Sequence, residues 1–248
     1  TYDITAPGAP AVTSSAAVTN DAAPAWTWTP GGGGNGTYRY ELDDSDLTAG
    51  ATETTTASYT PAADLIDGSH TLYVQERDEA GNWSSSGSRA VAVDTTAPEA
   101  EITTTAGGVT SSSPIPVEIT FSESVTGFES GDITVANGSV TAFSGSGASY
   151  RASIAPAGAG PVTVDVAAGA AADAAGNGNE AAEQLSVTYN AVPTVTTTSV
   201  TAYTATTAGM GGEVMAGGGE AVEERGVVYS ATDDTPTMEE GAARASNG

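Results

Sequence analysis

The chain has 248 residues, of which 31 are acidic and six are basic, and its formal charge is −25. All six basic residues are arginine, which disfavours a nucleic-acid interface or contact with an anionic membrane surface, since both require a basic face. Cysteine is absent, which excludes disulfides and cysteine–zinc sites.

A repeated junction marks the organisation of the chain. The segment Asp3–Pro7 recurs as Asp94–Pro98, and a looser copy, Asn190–Pro193, follows. The prolines that end these segments lie 98 − 7 = 91 and 193 − 98 = 95 residues apart. A fixed period of this kind predicts an array of similar modules, and we expect the sequence to be a slice of a longer array. The predicted parts are residues 1–6, the end of a preceding module or linker; 7–94, module 1; 95–192, module 2; and 193–248, an incomplete module 3.

Module 1 is predicted to be a β-sandwich, because its apolar residues alternate along short segments. Trp26 and Trp28 share one face of a predicted strand, and residues 37–42 and 71–75 alternate in the same way. The glycine-rich segment 31–36 leads into one of these strands and not into a helix. We therefore interpret it as a loop rather than a nucleotide site.

Two features close module 1. His70, the single histidine of the sequence, is predicted to take the place of the tyrosine that bonds back to upstream backbone in sandwich folds. The segment Asp78–Asn82 is predicted to turn the chain into the last strand. Gly81 suits a positive φ there, and Asp78 suits hydrogen bonds to the amides of the turn.

Module 2 shows the same kind of pattern. Strands are predicted where apolar residues alternate, at residues 116–121, 150–154, 162–166 and 185–189. The Asn137–Gly138 dipeptide lies between two apolar segments and predicts a β-hairpin, because a type I′ turn needs positive φ at both positions.

A second copy of the turn motif follows in module 2. The segment Asp173–Asn177 begins 173 − 78 = 95 residues after Asp78–Asn82 begins, in phase with the later proline step. The alanine-rich residues before it favour a helix by composition, but the repeat favours an equivalent final turn, with room for one helical turn before it. In module 3, strands are predicted at residues 195–197, 211–215 and 225–230.

These residues carry a family resemblance. The Asp-x-Thr-Ala-Pro junctions and the Asp-x-Ala-Gly-Asn turns of residues 3–190 resemble tandem bacterial Ig-like domains of large secreted adhesins and surface proteins. Residues 225–229 resemble part of a fibronectin type III-like repeat. The resemblance implies an all-β fold class, with tandem Ig-like β-sandwiches in a beads-on-a-string array, and an extracellular or cell-surface location.

The resemblance also implies candidate metal ligands, because some adhesin stalks of this type bind calcium at module junctions. Asp3 and Asp94 are the matching junction acids, and Asn190 departs from the pattern. Asp78 and Asp173, with Glu79, are the acids of the adjoining turns. The alternative is that these carboxylates only cap turns and face water, since no contiguous motif such as an EF-hand loop is present.

Trp83 is the candidate ligand-binding residue, because a tryptophan in a turn can stack on a sugar ring. Catalysis is not expected, since no nucleophile–histidine motif, nucleophile elbow or Walker loop occurs. No apolar run reaches the roughly 20 residues that span a bilayer, so no membrane insertion is expected within this segment.

Three functions remain open at this point. The first is a non-catalytic spacer of an exported bacterial surface protein, whose partners are neighbouring modules of the same chain. The second is a filament subunit completed by strand donation from another copy. The third is a carbohydrate-binding accessory module of a secreted enzyme, suggested by Trp83.

Overall fold

A computed structural model describes residues 2–203, 208–216, 226–229 and 243–246. Nearly all of its regular structure is β-strand, and the only helix in these residues is the 3-10 turn Ser130–Asp132. In the same residues, no helix has the length and apolar character needed to cross a membrane. The predicted all-β fold class is confirmed.

Module 1 contains two facing sheets. The first has three strands in the order β1-β3-β6, and the second has five in the order β2-β8-β7-β4-β5. The strands are β1 Ala11–Ser14, β2 Val18–Thr19, β3 Trp26–Thr29, β4 Thr37–Leu42, β5 Thr52–Thr54, β6 Ser58–Tyr59, β7 Gly68–Arg77 and β8 Gly87–Val93.

Aromatic residues fill the space between these sheets. Trp26 and Trp28 are both buried while the threonines beside them are exposed, which confirms the predicted alternation. The ring of Trp28 meets that of Tyr38 edge-on, with centroids 5.7 Å apart, a favourable arrangement for aromatic pairs. Leu72 and Val74 of β7 complete this core.

Module 2 also contains two sheets, in the orders β10-β15-β14-β12 and β13-β11-β9. Its core includes Val117, Ile119 and Phe121, the predicted face of one long strand, and Phe121 packs edge-on against Tyr150. The strands are β9 Ala100–Thr103, β10 Val109–Thr110, β11 Ile115–Val125, β12 Ile133–Ala136, β13 Gly138–Pro156, β14 Gly160–Val166 and β15 Leu185–Tyr189.

The two modules have separate cores and separate sheets. Among the described residues, no strand pairing joins a strand before Asp94 to one after it. The junction prolines Pro7 and Pro98 are buried, and each lies at the start of its module.

Each module has the same short parallel pairing between its second strand and its last strand. Strand β2 runs parallel to the last strand of module 1, β8, with hydrogen bonds from Ala92 N to Ala17 O and from Asp94 N to Thr19 O. Strand β10 runs parallel to the last strand of module 2, β15, in the same way. The entering and leaving segments of each module therefore lie side by side.

The predicted hairpin at Asn137–Gly138 is wrong. Strand β12 pairs with β14, whereas β13 pairs with β11, so the strands on either side of the dipeptide belong to different sheets. Asn137 does have a positive φ, of 53°, but its side-chain amide donates to the carbonyl oxygens of Gly158 and Pro161. These bonds anchor a crossing between sheets. The alanine-rich segment before Asp173 forms turns and no helix, as its place in the repeat predicts.

The described parts of residues 193–248 form two strand pairs. Strand β16 Thr194–Tyr203 pairs with β17 Ala208–Ala216, and β18 Gly226–Tyr229 pairs with β19 Ala243–Ser246. Three of these strands coincide with predicted ones, and β19 was not predicted. Residues 225 and 230 of the predicted third strand lie outside the described residues. The incompleteness of module 3 stays a prediction.

Candidate metal site at the module junction

The same turn closes both modules and is built from the same hydrogen bonds. Asp78 Oδ1 accepts the Asn82 backbone N–H at 2.8 Å, and Asp78 Oδ2 accepts the Asn82 side-chain amide at 2.8 Å. Asp173 and Asn177 repeat both bonds at the same lengths. Each aspartate is buried and therefore needs these donors.

Each turn also binds the segment that enters its module. The side-chain amide of Asn82 donates to the Asp3 carbonyl oxygen at 3.2 Å, and that of Asn177 donates to the Asp94 carbonyl oxygen at 2.8 Å. Through its asparagine, the Asp-x-Ala-Gly-Asn turn therefore holds a junction aspartate next to the buried aspartate of the turn.

At the second junction this arrangement gathers three carboxylates. Single oxygens of Asp94, Glu123 and Asp173 all lie within 4.8 Å of one another. Burial, together with the negative charges of Asp94 and Asp173, raises the pKa of the Glu123 carboxyl above its ordinary value. Burial acts in the same direction on Asp173, but hydrogen bonds from Asn177 and Gly176 outweigh it and hold the pKa of Asp173 below its ordinary value.

The first junction is built from the same parts but has no carboxylate at the position of Glu123. Asp3, Asp78 and Glu79 line one open pocket together with Gly32 and Gly33. The backbone fixes the correspondence with module 2: Asn35 N donates to Arg77 O, as Thr126 N donates to Ala172 O, a shift of 126 − 35 = 91 residues. Applied to Glu123, this shift gives position 32, which is a glycine.

The four predicted metal ligands are thus placed as two pairs. Asp94 lies with Asp173 at the second junction, and Asp3 lies with Asp78 at the first. Sequence reasoning missed Glu123. Glu123 lies near the end of strand β11, close to the junction. An acidic residue in an alternating strand normally faces solvent, so its position alone did not single it out.

Further hydrogen bonds hold the linker from the side of module 1. The Asp67 carboxylate accepts the Thr95 N–H at 2.9 Å, the Thr95 hydroxyl at 2.8 Å and the Thr96 hydroxyl at 2.7 Å. Across the junction, Asn20 N donates to the carbonyl oxygen of Ala175 at 3.2 Å. Module 1 therefore holds the linker through Asp67 and also contacts the closing turn of module 2 through Asn20.

The donor set at the second junction suits a hard cation. Its side-chain ligand atoms are all carboxylate oxygens, which are the preferred ligands of Ca²⁺ and Mg²⁺. Three carboxylates supply part of the six to eight oxygens that Ca²⁺ takes, and backbone carbonyls and water commonly supply the others. After burial, the negative charges of Asp94 and Asp173 contribute to the raised pKa of Glu123, and a divalent cation would relieve this repulsion.

Family comparison agrees with this repeated architecture. Residues 11–95 match one family model and residues 94–190 match another, and both models are described as a bacterial Ig-like domain. The chain belongs to the bacterial Ig-like domain proteins. The predicted resemblance is confirmed for these two Ig-like domains, whereas the fibronectin type III-like resemblance of residues 193–248 stays a prediction.

Several solved structures are similar to this chain at low identity. One comes from work on host cell surface retention of a 1.5-MDa bacterial ice-binding adhesin, with 16% identity, a TM-score of 0.36, and coverage of 75% of this chain and 65% of that chain. Another contains fibronectin(III)-like modules of Clostridium thermocellum CbhA, with 18% identity, a TM-score of 0.33, and coverage of 72% and 93%.

A third similar structure is the chitinase ChiA74 from Bacillus thuringiensis, with 16% identity, a TM-score of 0.27, and coverage of 73% of this chain and 28% of that chain. No curated protein sequence matches the chain. The match to the adhesin and the match to the chitinase thus span only part of those two chains.

The remaining candidate residues lie in the first Ig-like domain. His70 Nδ1 lies 2.7 Å from Asp43 Oδ2, and His70 Nε2 lies 2.8 Å from the carbonyl oxygen of Ile66. The ring therefore bonds upstream backbone, as its predicted structural role requires. Trp83 is half-buried beside Arg39 and Arg77 on the outer face of the five-stranded sheet. Ig-like domains are typically non-catalytic.

Proposed function

We propose that these tandem Ig-like domains are non-catalytic spacer modules of an exported bacterial surface or adhesin-type protein. The observation that carries the proposal is the fixed linker. Asp67 holds Thr95 and Thr96 from module 1, while Asn177 holds Asp94 from module 2. A spacer needs joints of defined geometry, and hydrogen bonds from both neighbours supply it.

Calcium at the second junction is the second part of the proposal. Asp94 lies in the linker, whereas Glu123 and Asp173 belong to module 2, so an ion bound by all three would tie the linker to the module. Because it binds only the folded arrangement, it would also stabilise module 2 by mass action. The hydrogen bonds of the linker do not depend on the ion.

X-ray scattering tests both parts on the chain with added calcium and with a chelator. We expect an elongated particle with a narrow distribution of inter-module distances in both states, and a further gain in rigidity when calcium is present. Glu123→Gln should abolish the calcium-dependent gain. Glu101→Gln, which removes an exposed acid from β9 of the same module, should leave the gain unchanged.

Two outcomes would contradict the proposal separately. A broad distribution of inter-module distances in both states would overturn the spacer function. Equal rigidity with calcium and with chelator, together with no heat of calcium binding, would overturn only the metal site. The strand-donation filament concerns residues 193–248, which are only partly described, and it stays a prediction.

A further inference from the structure

A cationic and aromatic cluster lies on the outer face of module 1. The guanidinium carbon of Arg39 lies 4.4 Å from the centroid of the Trp83 ring, and that of Arg77 lies 5.3 Å from it. Both distances are within the range of cation–π attraction. Arg39 of β4 and Arg77 of β7 alternate with the buried residues Tyr38 and Glu76, so they face away from the core.

The cluster is held in place before any ligand arrives. Arg39 Nε donates to the side-chain oxygen of Gln75 at 2.7 Å, and Gln75 is the residue paired opposite Arg39 in the sheet. The Arg39 guanidinium is thus held by its hydrogen bond to Gln75 and by its contact with the Trp83 ring. Its terminal NH₂ groups are donors suited to bidentate binding of a carboxylate.

Neither arginine forms an ion pair within the described residues, although the chain carries 31 acidic side chains. The nearby acids include Glu41, two residues from Arg39 on β4, and Glu53, which is paired opposite Arg39 on β5. They also include Asp46, whose pKa is lowered in part by the charge of Arg39. Asp46 bonds Thr48 instead. By contrast, the exposed Arg151 of module 2 bonds Glu118 at 2.8 Å.

The fold itself does not require this cluster, as the second module shows. Arg77 and Trp83 form an isolated antiparallel bridge, and Ala172 and Gly178 form the same bridge 95 residues later (172 − 77 and 178 − 83). Position 170, which corresponds to Gln75, is also an alanine. Module 2 therefore keeps the backbone arrangement with small residues where module 1 has charged, aromatic and amide side chains.

We propose that Arg39, Arg77 and Trp83 bind an acidic saccharide, with the carboxylate of a uronic-acid unit on the guanidinium groups and its sugar ring against the indole. A carboxylate matches two guanidinium groups that form no ion pair among the described residues. A sugar ring offers the apolar C–H surface that an indole binds, which an aspartate or glutamate side chain lacks. This inference does not rest on the spacer function or on calcium.

Oligogalacturonate is the probe, and tryptophan fluorescence is the readout. Trp26 and Trp28 are buried, so Trp83 is the tryptophan that a ligand on the surface can reach. Titrations run in chelator, which prevents calcium from bridging the saccharide to the acidic surface. We expect a saturable change that neutral dextran oligomers do not produce and that weakens as salt is raised.

Matched variants locate the binding. Arg39→Gln and Arg77→Gln should each weaken binding about tenfold, as expected for a lost charge-assisted hydrogen bond. Trp83→Leu should remove the fluorescence change and weaken binding by calorimetry. Arg151→Gln changes the net charge equally but lies in module 2, and it should have no effect.

Three results would overturn the proposal. The first is the absence of saturable binding to the intact chain at low salt. The second is an equal loss of affinity in Arg151→Gln, which would show only a general charge effect. The third is tighter binding of poly-L-glutamate than of oligogalacturonate, which would identify the cluster as a docking point for acidic protein segments.

Discussion

The backbone of Gly34 lies directly against the carboxyl group of Glu76, so closely that a Cβ atom on Gly34 would overlap the side chain of Glu76. Glu76 is fully buried and is paired opposite Tyr38 in the sheet. Burial, then the charge and hydrogen bond of Glu76, raise the pKa of the Tyr38 hydroxyl. The absence of a side chain at position 34 is what admits Glu76 to the core.

Module 2 fills the corresponding space differently. The backbone correspondence places Val125 at the position of Gly34 (125 − 34 = 91) and Ala171 at that of Glu76 (171 − 76 = 95), and both are buried apolar residues. We therefore expect the exchange of both residues to be tolerated better than either change alone. Gly34→Val should cost about 1–3 kcal/mol by overpacking, and Glu76→Ala about 1–3 kcal/mol by leaving the Tyr38 hydroxyl unpaired.

The double variant Gly34→Val/Glu76→Ala should recover at least about 1 kcal/mol of the summed loss, because the two residues share one space. Chemical denaturation of module 1, followed by tryptophan fluorescence, measures all four states of this cycle. Strictly additive losses would contradict the correspondence between the two cores.

His70 is predicted to make module 1 more stable at acidic than at alkaline pH. Both ring nitrogens face oxygen acceptors, so only the protonated imidazolium can donate both bonds. The hydrogen bond to Asp43, and then that to Ile66 O, raise the pKa of His70. The contribution of His70 to the stability of module 1 is complete below the ordinary histidine pKa of about 6.5. It is lost as pH rises through the higher folded-state pKa.

Thermal unfolding of module 1 between about pH 5.5 and 9 measures this loss. Among the described residues, Asp43 is the charged group that bonds the ring, and its other oxygen accepts the Thr71 N–H. His70→Gln should flatten the dependence over this range. An unchanged slope in that variant would assign the pH effect to another group.

Asp67→Ala is predicted to loosen the junction without unfolding either module. The variant removes three hydrogen bonds to the linker, and the Asp67 side chain is exposed, so the core of module 1 is untouched. Fluorescence energy transfer between labels on the two modules should show a broader distance distribution. Asp64→Ala, an exposed acid nearby, is the control and should leave the distribution narrow.

The contact of Asp67 with Thr95 and Thr96 has a predicted pH dependence. Hydrogen bonds from Thr96 and Thr95 lower the pKa of Asp67 below its ordinary value. Its contribution to the closed linker is therefore present above the ordinary aspartate pKa of about 3.9 and is lost as pH falls through the lower folded-state value. The distance distribution should stay narrow at pH 5 and broaden only under strongly acidic conditions, and broadening already at pH 5 would contradict this.

The two junctions should differ in calcium affinity if the proposed metal site is correct. Glu123 completes the second site, whereas the first has Gly32 at that position and offers Asp3, Asp78 and Glu79 on an open surface. Calorimetry should show that Asp94→Asn weakens the tightest calcium binding by about tenfold or more, because one of three carboxylates is lost. Asp3→Asn should leave it unchanged, and an equal effect of both variants would disprove the difference.

The repeat explains what the sequence could predict. The proline period and the two Asp-x-Ala-Gly-Asn turns correctly predicted that the chain is built from similar β modules. They also singled out Asp94 and Asp173, which the structure brings together. These features are local in sequence or strictly periodic, and for this reason they are visible without a structure.

The remaining features depend on differences between the modules. Glu123 corresponds to a glycine, so comparing the repeats could not reveal it. The Arg39–Trp83 contact and the Gly34–Glu76 contact each join residues more than 40 positions apart (83 − 39 = 44; 76 − 34 = 42). Module 2 has Gly178 at the position of Trp83 and Ala171 at that of Glu76. The prediction of a hairpin at Asn137 was wrong because the Asn137 side chain makes long-range hydrogen bonds to Gly158 and Pro161, where the chain crosses from one sheet to the other.

The short parallel pairs at the start of each module determine how an array of this kind would carry tension. A pull on the two ends of a module draws β2 and β8, or β10 and β15, past each other lengthwise. The two bonds of each pair are then loaded together in shear rather than opened one after another. They are Ala92 N to Ala17 O and Asp94 N to Thr19 O in module 1, and Thr188 N to Gly108 O and Asn190 N to Thr110 O in module 2. The last strand of each module, which leads into the next junction, is thus also one of the strands that resist extension of the module.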